Sequence, residues 1–284
     1  MSLSMASPIQ KRSIVETPHS VIERGEIGVG NGIASYKKET PNDGRRRQTV
    51  VAATGLCANL ASLELESTVL TQSGFTVISV GHQHRETTHP IAKNADDIRV
   101  AIEDLSDTEQ VHLTGLSMGA VSSVVAAQKM PGRVLSAQLV APAMISPIRP
   151  SRTPLAAFEA SRETFRRGGK YTSSVLEGLL ATKSRLRTVV SETGKLVLGD
   201  VHHRIGDLVG QDVEVHIISP VRDCFFNPNE QGRVAEELGI KSHTVFSEGT
   251  AGHASLAYHP GVTDIIMRNI CLPKQTQQTN SMAA

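Results

Sequence analysis

Short runs of apolar residues alternate along the chain with longer segments in which apolar residues recur at helical spacing. The runs are rich in Val, Ile, Leu and Ala, and turn-forming residues follow most of them. Short, nearly continuous apolar runs are typical of parallel strands that are covered on both faces. They predict strands at 49–53, 76–80, 111–116, 134–140, 213–219 and 241–246, with two further short strands at 20–24 and 33–38 around a glycine-rich turn.

The segments between these strands have the pattern of amphipathic helices. Residues 91–105 place Ile98 and Ile102 on one face and charged residues on the other. Further helices are predicted from 59 to 73, from the 115–119 turn to 129, at 229–238 and at 262–270. This alternation predicts an α/β fold with a doubly wound, mostly parallel sheet and helices on both faces.

One long segment does not follow the alternation. Residues 147–208 are helical in pattern, rich in Arg and without strand signals, which predicts a helical cap inserted into the core. The two ends of the chain are polar and aperiodic, which predicts flexible tails. The predicted parts are a tail (1–18), a core (19–146 and 209–272), the cap (147–208) and a second tail (273–284).

Composition restricts the class of protein. A chain of 284 residues with 39% hydrophobic and 20% charged residues suits one folded α/β domain with a cap. The net charge of +1 argues against nucleic acid as a partner. No signal-peptide pattern and no bilayer-spanning apolar stretch is apparent, so no membrane insertion is expected. The sparse cysteines, Cys57, Cys224 and Cys271, predict a reducing, cytoplasmic compartment; the oligomeric state is left open.

The strongest chemical signal is the stretch Gly115-Leu116-Ser117-Met118-Gly119, which fits the G-x-S-x-G nucleophile elbow. A serine on a very tight turn between a strand and a helix has a strained backbone and an exposed hydroxyl. Side chains at 115 and 119 would collide with the neighbouring strand and helix, so glycine is required at both positions. The start of the following helix offers the Met118 N–H and a positive dipole end to a developing oxyanion.

A nucleophilic serine needs a base within hydrogen-bonding distance, and the base needs an orienting partner. In elbow enzymes these partners come later in the chain, in the order Ser, acid, His. Asp223 follows the strand at 213–219, at the edge where catalytic groups of open α/β sheets collect. His253 lies in a glycine-flanked turn after the strand at 241–246 and can be presented beside Ser117.

Other residues of the same types are placed less well. The alternative histidines lie inside predicted strands or beyond the loop: His216, His243 and His259. Asp207 and Asp212 precede their strand, at the opposite edge of the sheet, and residues 141–150 contain no Asp or Glu. Asp223 therefore remains as the candidate acid.

In this order, and each after a predicted strand, the 115–119 motif, Asp223 and Gly252-His253 resemble the α/β-hydrolase superfamily. The resemblance covers roughly residues 20–270 and is specific for fold and triad, but not for substrate. It implies a Ser117, His253 and Asp223 triad that works through an acyl-enzyme.

The same resemblance implies a second oxyanion donor, the backbone N–H of Leu56, beside that of Met118. Thr54-Gly55 stands where many members have His-Gly before this donor. Gly55, Cys57 and His82 are expected beside the substrate.

The implied function is that of a serine hydrolase that cleaves a small-molecule carboxylic ester. The same triad would also serve a thioesterase or an acyltransferase, and the fold could belong to an inactive binding protein. Histidines cluster at 82, 84 and 89 in a loop expected near the pocket, where histidines that line the site or meet solvent are favoured over metal ligands, so no metal and no other cofactor is expected. The excess of Arg and Lys in the cap either attracts an anionic substrate or forms a solvated helical face.

Overall fold

The computed structural model describes residues 9–30, 32–43, 48–55, 60–82, 90–143, 145–146, 198–223, 226–247, 256 and 259–271. The strands in this part of the chain are β1 (Ile9–Glu16), β2 (Ser20–Val29), β3 (Gly32–Pro41), β4 (Thr49–Ala53), β5 (Thr76–His82), β6 (Val111–Leu116), β7 (Val134–Val140), β8 (Glu214–Pro220) and β9 (Ser242–Phe246). The helices are α1 (Glu64–Gln72), α2 (Pro90–Leu105), α3 (Met118–Gln128), α4 (Leu198–Gly210), α5 (Pro228–Glu237) and α6 (Pro260–Cys271), and a 3-10 turn at Leu60–Leu63 precedes α1.

The nine described strands form one sheet in the order β1-β2-β3-β5-β4-β6-β7-β8-β9. The first three neighbouring pairs in this order, β1-β2, β2-β3 and β3-β5, are antiparallel. The remaining five pairs, from β5-β4 to β8-β9, are parallel. The predicted mostly parallel, doubly wound sheet is therefore confirmed. Its parallel strands are apolar because helices cover them on both faces, and all of β4 is buried.

Two helical layers flank the sheet. Helices α2, α3, α4 and α5 contribute to the larger of two apolar clusters, and α1 and α6 contribute to the smaller one on the other face. The carboxyl ends of β4, β5, β6, β7, β8 and β9 meet at one edge because these strands run parallel. Loops at this edge carry the candidate site.

The prediction of a loose tail over residues 1–18 is wrong for residues 9–16. They form β1, which pairs antiparallel with β2 from Lys11 to Glu16. An edge strand needs no apolar face, and Ile14 and Val15 are each 55% exposed, so no hydrophobic period marks β1. The glycine-rich turn is also shorter than predicted, since β2 continues through Gly25 and Gly28 to Val29.

The predicted end of the cap, residue 208, is also too late in the chain. Helix α4 begins at Leu198 and packs on the core with Val201, Ile205 and Leu208, each at most 1% exposed. Arg204 donates to Gln128 Oε1 of α3 at 2.6 Å. The core has therefore resumed by residue 198. Residues 147–197 and 272–284 lie outside the described residues, so the cap and the second tail stay predictions.

Candidate active site

Ser117 is the single residue between β6 and α3. Its φ is 55° and its ψ is −116°, a backbone conformation that costs a non-glycine residue about 1–3 kcal/mol. Ser117 is partly exposed, whereas Met118 is buried. The tight elbow predicted from the motif is present at the position expected for it.

The two glycines of the motif let strand and helix approach closely. A Cβ at Gly115 would lie 2.5 Å from the carbonyl atoms of Gly119, and a Cβ at Gly119 would lie 2.6 Å from the carbonyl oxygens of Ala53 and Thr54. Both distances are far below van der Waals contact. The predicted requirement for glycine at 115 and 119 is therefore confirmed by the packing.

The loop after β7 holds the elbow. Ser117 N–H donates to Val140 O at 2.8 Å, and Ala143 N–H donates to Ser117 O at 3.2 Å. Ala120 N–H also donates to Ser117 O, at 3.1 Å. These bonds fix the two peptide groups that flank Ser117 and so sustain its strained φ.

Two parts of the expected oxyanion site can be located. Met118 is the first residue of α3, where a backbone N–H has no partner within the helix. Gly55 follows β4, and a Cβ at this position would lie 3.5 Å from Ser117 Cβ. The chain after Gly55 thus starts beside the serine. Leu56 and Cys57 lie outside the described residues, and their roles stay predictions.

Asp223 lies at the same edge of the sheet, three residues after β8 ends. It is buried, with 3% of its surface exposed, and its Oδ1 accepts from Phe226 N–H at 3.0 Å. Its own N–H donates to Pro220 O at 3.2 Å, which closes a turn at the end of β8. One strand, β7, separates β8 from β6, so about 10 Å separates their ends.

His253 lies outside the described residues, so its position beside Ser117 stays a prediction. Its loop follows β9, which pairs with β8 up to Pro220 and Phe246. His82 is the last residue of β5, at the carboxyl edge. The backbone thus brings Gly55, His82, Ser117 and Asp223 to one edge.

The alternative histidines have other partners. His216 and His243 lie within strands, as predicted, with His216 Nδ1 at 2.8 Å from Ser242 Oγ and His243 Nε2 at 2.9 Å from Ser219 Oγ. Burial, with a smaller effect of Lys241, lowers the pKa of His216 to about 4, and burial lowers the pKa of His243. His259 Nδ1 accepts from Gly261 N–H at 3.3 Å.

Sequence patterns missed two buried polar residues close to the elbow. Glu66 on α1 bonds to Thr114 of β6, and burial raises the pKa of its carboxyl to about 7. Gln231 on α5 is fully buried and bonds to Pro142 of the loop that holds Ser117. Each contacts residues distant in the chain, so no local pattern could reveal them. Within the described residues, no group of three or more His, Cys, Asp or Glu could hold a metal ion.

Comparison with known proteins gives matches in structure. No family model matches the chain, and no curated protein sequence matches it. A membrane phospholipase A, described as a bacterial virulence factor, is similar with a TM-score of 0.69 and 14% identity over 88% of this chain and 86% of that one.

Two further solved structures have comparable similarity. A carboxylesterase from Bacillus subtilis gives a TM-score of 0.60 and 15% identity over 94% of this chain and 93% of that one. A thioesterase domain from the curacin biosynthetic pathway gives a TM-score of 0.63 and 14% identity over 87% of this chain and 99% of that one.

Sheet order, elbow and structural likeness agree that the chain has the α/β-hydrolase fold. At these identities the likeness concerns the fold, so the chemistry has to be argued from the site. None of the described helices is both long and apolar enough to cross a bilayer.

Proposed function

We propose that this protein is a serine hydrolase that cleaves a carboxylic ester of a small molecule, with Ser117 as the nucleophile. The observation that carries the proposal is the strained Ser117 between β6 and α3, held by backbone bonds on both sides. A residue in such a conformation persists only where the surrounding structure maintains it. The buried Asp223 at the same edge supports the proposal.

In the proposed first half-reaction, His253 takes the proton from the Ser117 hydroxyl as the oxygen attacks the ester carbonyl carbon. The backbone N–H groups of Leu56 and Met118 donate to the oxyanion that forms; losing one such donor typically slows an enzyme about 100- to 1000-fold. His253 then gives the proton to the alkoxide oxygen as the bond between this oxygen and the carbonyl carbon breaks. The alcohol departs, and an acyl group remains on Ser117.

In the second half-reaction, water attacks the acyl carbon with His253 again as the base; the bond from this carbon to Ser117 Oγ then breaks, His253 returns the proton to Oγ, and the carboxylic acid is released. Asp223 orients the imidazole and stabilises its positive charge. The Phe226 N–H bond to Asp223 Oδ1 supports this role, because it fixes the orientation of the carboxylate. No step in this scheme requires a metal or an organic cofactor.

Substrate contacts are proposed at the edge beside the serine, from Gly55, Cys57 and His82. The position of Gly55 against the elbow supports the first of these. We also propose a cap over the ester from residues 147–197, because this stretch connects the loop that holds Ser117 to α4 in the sequence.

The proposal is tested by covalent labelling with a fluorophosphonate probe. We expect the folded protein to be labelled, Ser117→Ala to lose both labelling and ester turnover, and Ser122→Ala to keep both. Ser122 is a matched control because it lies on the next turn of α3 and is fully buried, with its hydroxyl bonded to Met118 O. A folded protein that resists the probe, or equal labelling of Ser117→Ala, would contradict the proposal.

A thioester substrate is the second candidate, favoured by the likeness to a thioesterase domain. Matched oxoesters and thioesters with the same acyl chain separate the two, since only the leaving group differs. We expect the higher kcat/KM for the oxoester, and a series of p-nitrophenyl esters of increasing chain length would give the size of the acyl site.

A further inference from the structure

A buried chain of hydrogen bonds runs from β9 through α5 to the loop that follows β7. Gln231, one turn into α5, is 0% exposed. Its Nε2 donates to Pro142 O at 3.0 Å, and its Oε1 accepts from Ser219 Oγ at 2.5 Å. Ser219 Oγ also lies 2.9 Å from His243 Nε2.

This chain can run in only one direction. An amide oxygen accepts but cannot donate, so the single hydroxyl proton of Ser219 points to Gln231. The Ser219 oxygen then accepts from His243 Nε2, and Gln231 donates its own proton to Pro142. Every member is satisfied, and buried chains of this kind hold their geometry tightly.

Pro142 lies at the centre of the loop that supports the elbow. On one side, Ala141 N–H donates to Ile218 O of β8 at 2.7 Å; on the other, Ala143 N–H donates to Ser117 O at 3.2 Å. Ala141 has a φ of 42°, which is costly for a residue with a Cβ. Proline has no N–H, so the Gln231 amide holds this loop through the carbonyl oxygen of its central residue.

The helix that carries Gln231 begins a few residues after the acid, at Pro228. Asp223 Oδ1 accepts from Phe226 N–H, and Asn227 caps α5 by accepting from Asn229 N–H at 3.2 Å. Helix α5 is therefore linked to Asp223 through Phe226, two residues before the helix begins, and to the loop of Ser117 through Gln231.

We propose that Gln231 is a positioning residue that fixes the Ser117 elbow relative to Asp223 across the intervening strand β7. The inference rests on the proposed function, since it assigns Gln231 a role in the reaction of Ser117. Displacement of catalytic groups by about 1 Å can cost about 100-fold in rate. Releasing Pro142 lets the loop and the strained serine relax, so the reaction slows while substrate affinity changes little.

The test compares Gln231→Leu with Gln138→Leu. Gln138 is an equally buried glutamine at 0% exposure with two side-chain partners, Ser136 and Asn269, both on the α6 side of the sheet. We expect the second-order rate of fluorophosphonate labelling to fall about 10- to 100-fold in Gln231→Leu and less than about threefold in Gln138→Leu. With an ester substrate, kcat should fall in Gln231→Leu and KM should stay within about twofold.

Urea denaturation of both variants separates positioning from general loss of stability. Comparable midpoint shifts with unequal labelling rates support positioning by Gln231. Labelling rates that fall equally in the two variants would overturn it. If Gln231→Leu does not fold, Ser219→Ala replaces it; this variant removes one link of the chain, and a rate unchanged from that of the unmodified protein would overturn the proposal.

Amide hydrogen exchange gives a readout that does not depend on activity. Exchange of the Ala143 N–H should speed up at least about tenfold in Gln231→Leu and stay unchanged in Gln138→Leu, because only the first releases the loop. An unmodified protein that is not labelled would contradict the proposed function, whereas unchanged Ala143 exchange would contradict the positioning role alone.

Discussion

The two faces of the sheet bury neighbouring residues of the same strands in opposite ways. On one face, paired positions form an apolar row: Ile78, Val51, Leu113, Ala137 and Val215. One residue further along, on the other face, paired positions form a polar row: Lys37, Ser79, Ala52, Thr114, Gln138, His216 and Ser242. Only Ala52 in the second row is apolar.

Helices α1 and α6 supply partners for three members of the polar row, which are Lys37, Thr114 and Gln138. Lys37 Nζ lies 2.9 Å from Ser67 Oγ of α1 and 2.8 Å from Glu39 Oε2. Thr114 bonds to Glu66 of α1, and Gln138 Oε1 accepts from Asn269 of α6 at 2.9 Å. These contacts require particular partners, whereas the apolar row is stabilised by burial in proportion to area. The apolar row thus contributes stability through burial, and the polar row ties particular helices to particular strands.

The largest expected effect breaks the apolar row. Leu113→Ala removes a fully buried side chain from the centre of β6 and should cost about 3–5 kcal/mol of unfolding free energy. Thr114→Ala, its neighbour on the polar row, should cost about 1 kcal/mol, since it removes one hydrogen bond and one methyl group. Urea denaturation of both variants measures the difference. Equal losses of unfolding free energy would mean that the apolar row and the polar row stabilise the fold in the same way.

Glu66 should make the stability depend on pH. Its folded-state pKa of about 7 is raised above the ordinary value of 4.5, so the folded protein binds the proton more tightly than the unfolded chain does. Stability is therefore full below about pH 4.5 and falls as the pH rises to about 7, by on the order of 3 kcal/mol. Glu66→Gln should remove this loss and be the more stable protein at pH 8.

The measurement for Glu66 is urea denaturation from pH 5 to pH 8. The curves of stability against pH should diverge, with the two proteins similar at pH 5. Parallel curves would show that the carboxyl is not held neutral by its burial.

His216 should act in the opposite direction. Its folded-state pKa of about 4 lies below the ordinary 6.5, so the unfolded chain binds the proton more tightly. Stability is present above pH 6.5 and falls on the order of 2 kcal/mol between pH 6.5 and pH 5. His216→Asn, which can keep a bond to Ser242, should lose this dependence. An NMR titration that shows a protonated His216 in the folded protein at pH 6 would contradict the assignment.

The smallest expected effect is on the polar row itself. Gln138→Leu leaves the Asn269 amide without its acceptor, but Asn269 is only partly buried, so water can replace the lost bond. We expect a loss of about 1 kcal/mol in urea denaturation. A loss as large as that of Leu113→Ala would mean that the polar row carries more stability than burial suggests.

The elbow could be predicted from sequence because its signature is local. Two glycines and a serine within five residues, after an apolar strand, indicate the turn, although Val140 and Ala143 hold it in the structure. That Asp223 lies at the carboxyl edge of the sheet could be predicted from its place after β8, whereas its role as the catalytic acid stays a prediction. By contrast, the bond between Gln231 and Pro142 spans 89 residues, and nothing in the neighbourhood of either residue indicates the other.

The central strands show a second limit. In β6, His112 and Thr114 alternate with Val111 and Leu113, which by itself is the pattern of a strand with one face in water. Instead both faces are covered, and His112 bonds to Ser136 and Gln48. Edge strand β1 shows the reverse limit, since its exposure allows any polar sequence that can pair with β2.

The place where the chain leaves and re-enters the core has a consequence for how such proteins diversify. His202 of α4 lies with its Nε2 at 2.8 Å from Ile145 O, so the two ends of the intervening segment are anchored side by side. Closing a longer loop between fixed ends costs only about 0.6 kcal/mol for each doubling of its length. The stretch between residues 147 and 197 can therefore change in length over generations at little cost in folding free energy, while the sheet keeps its sequence constraints.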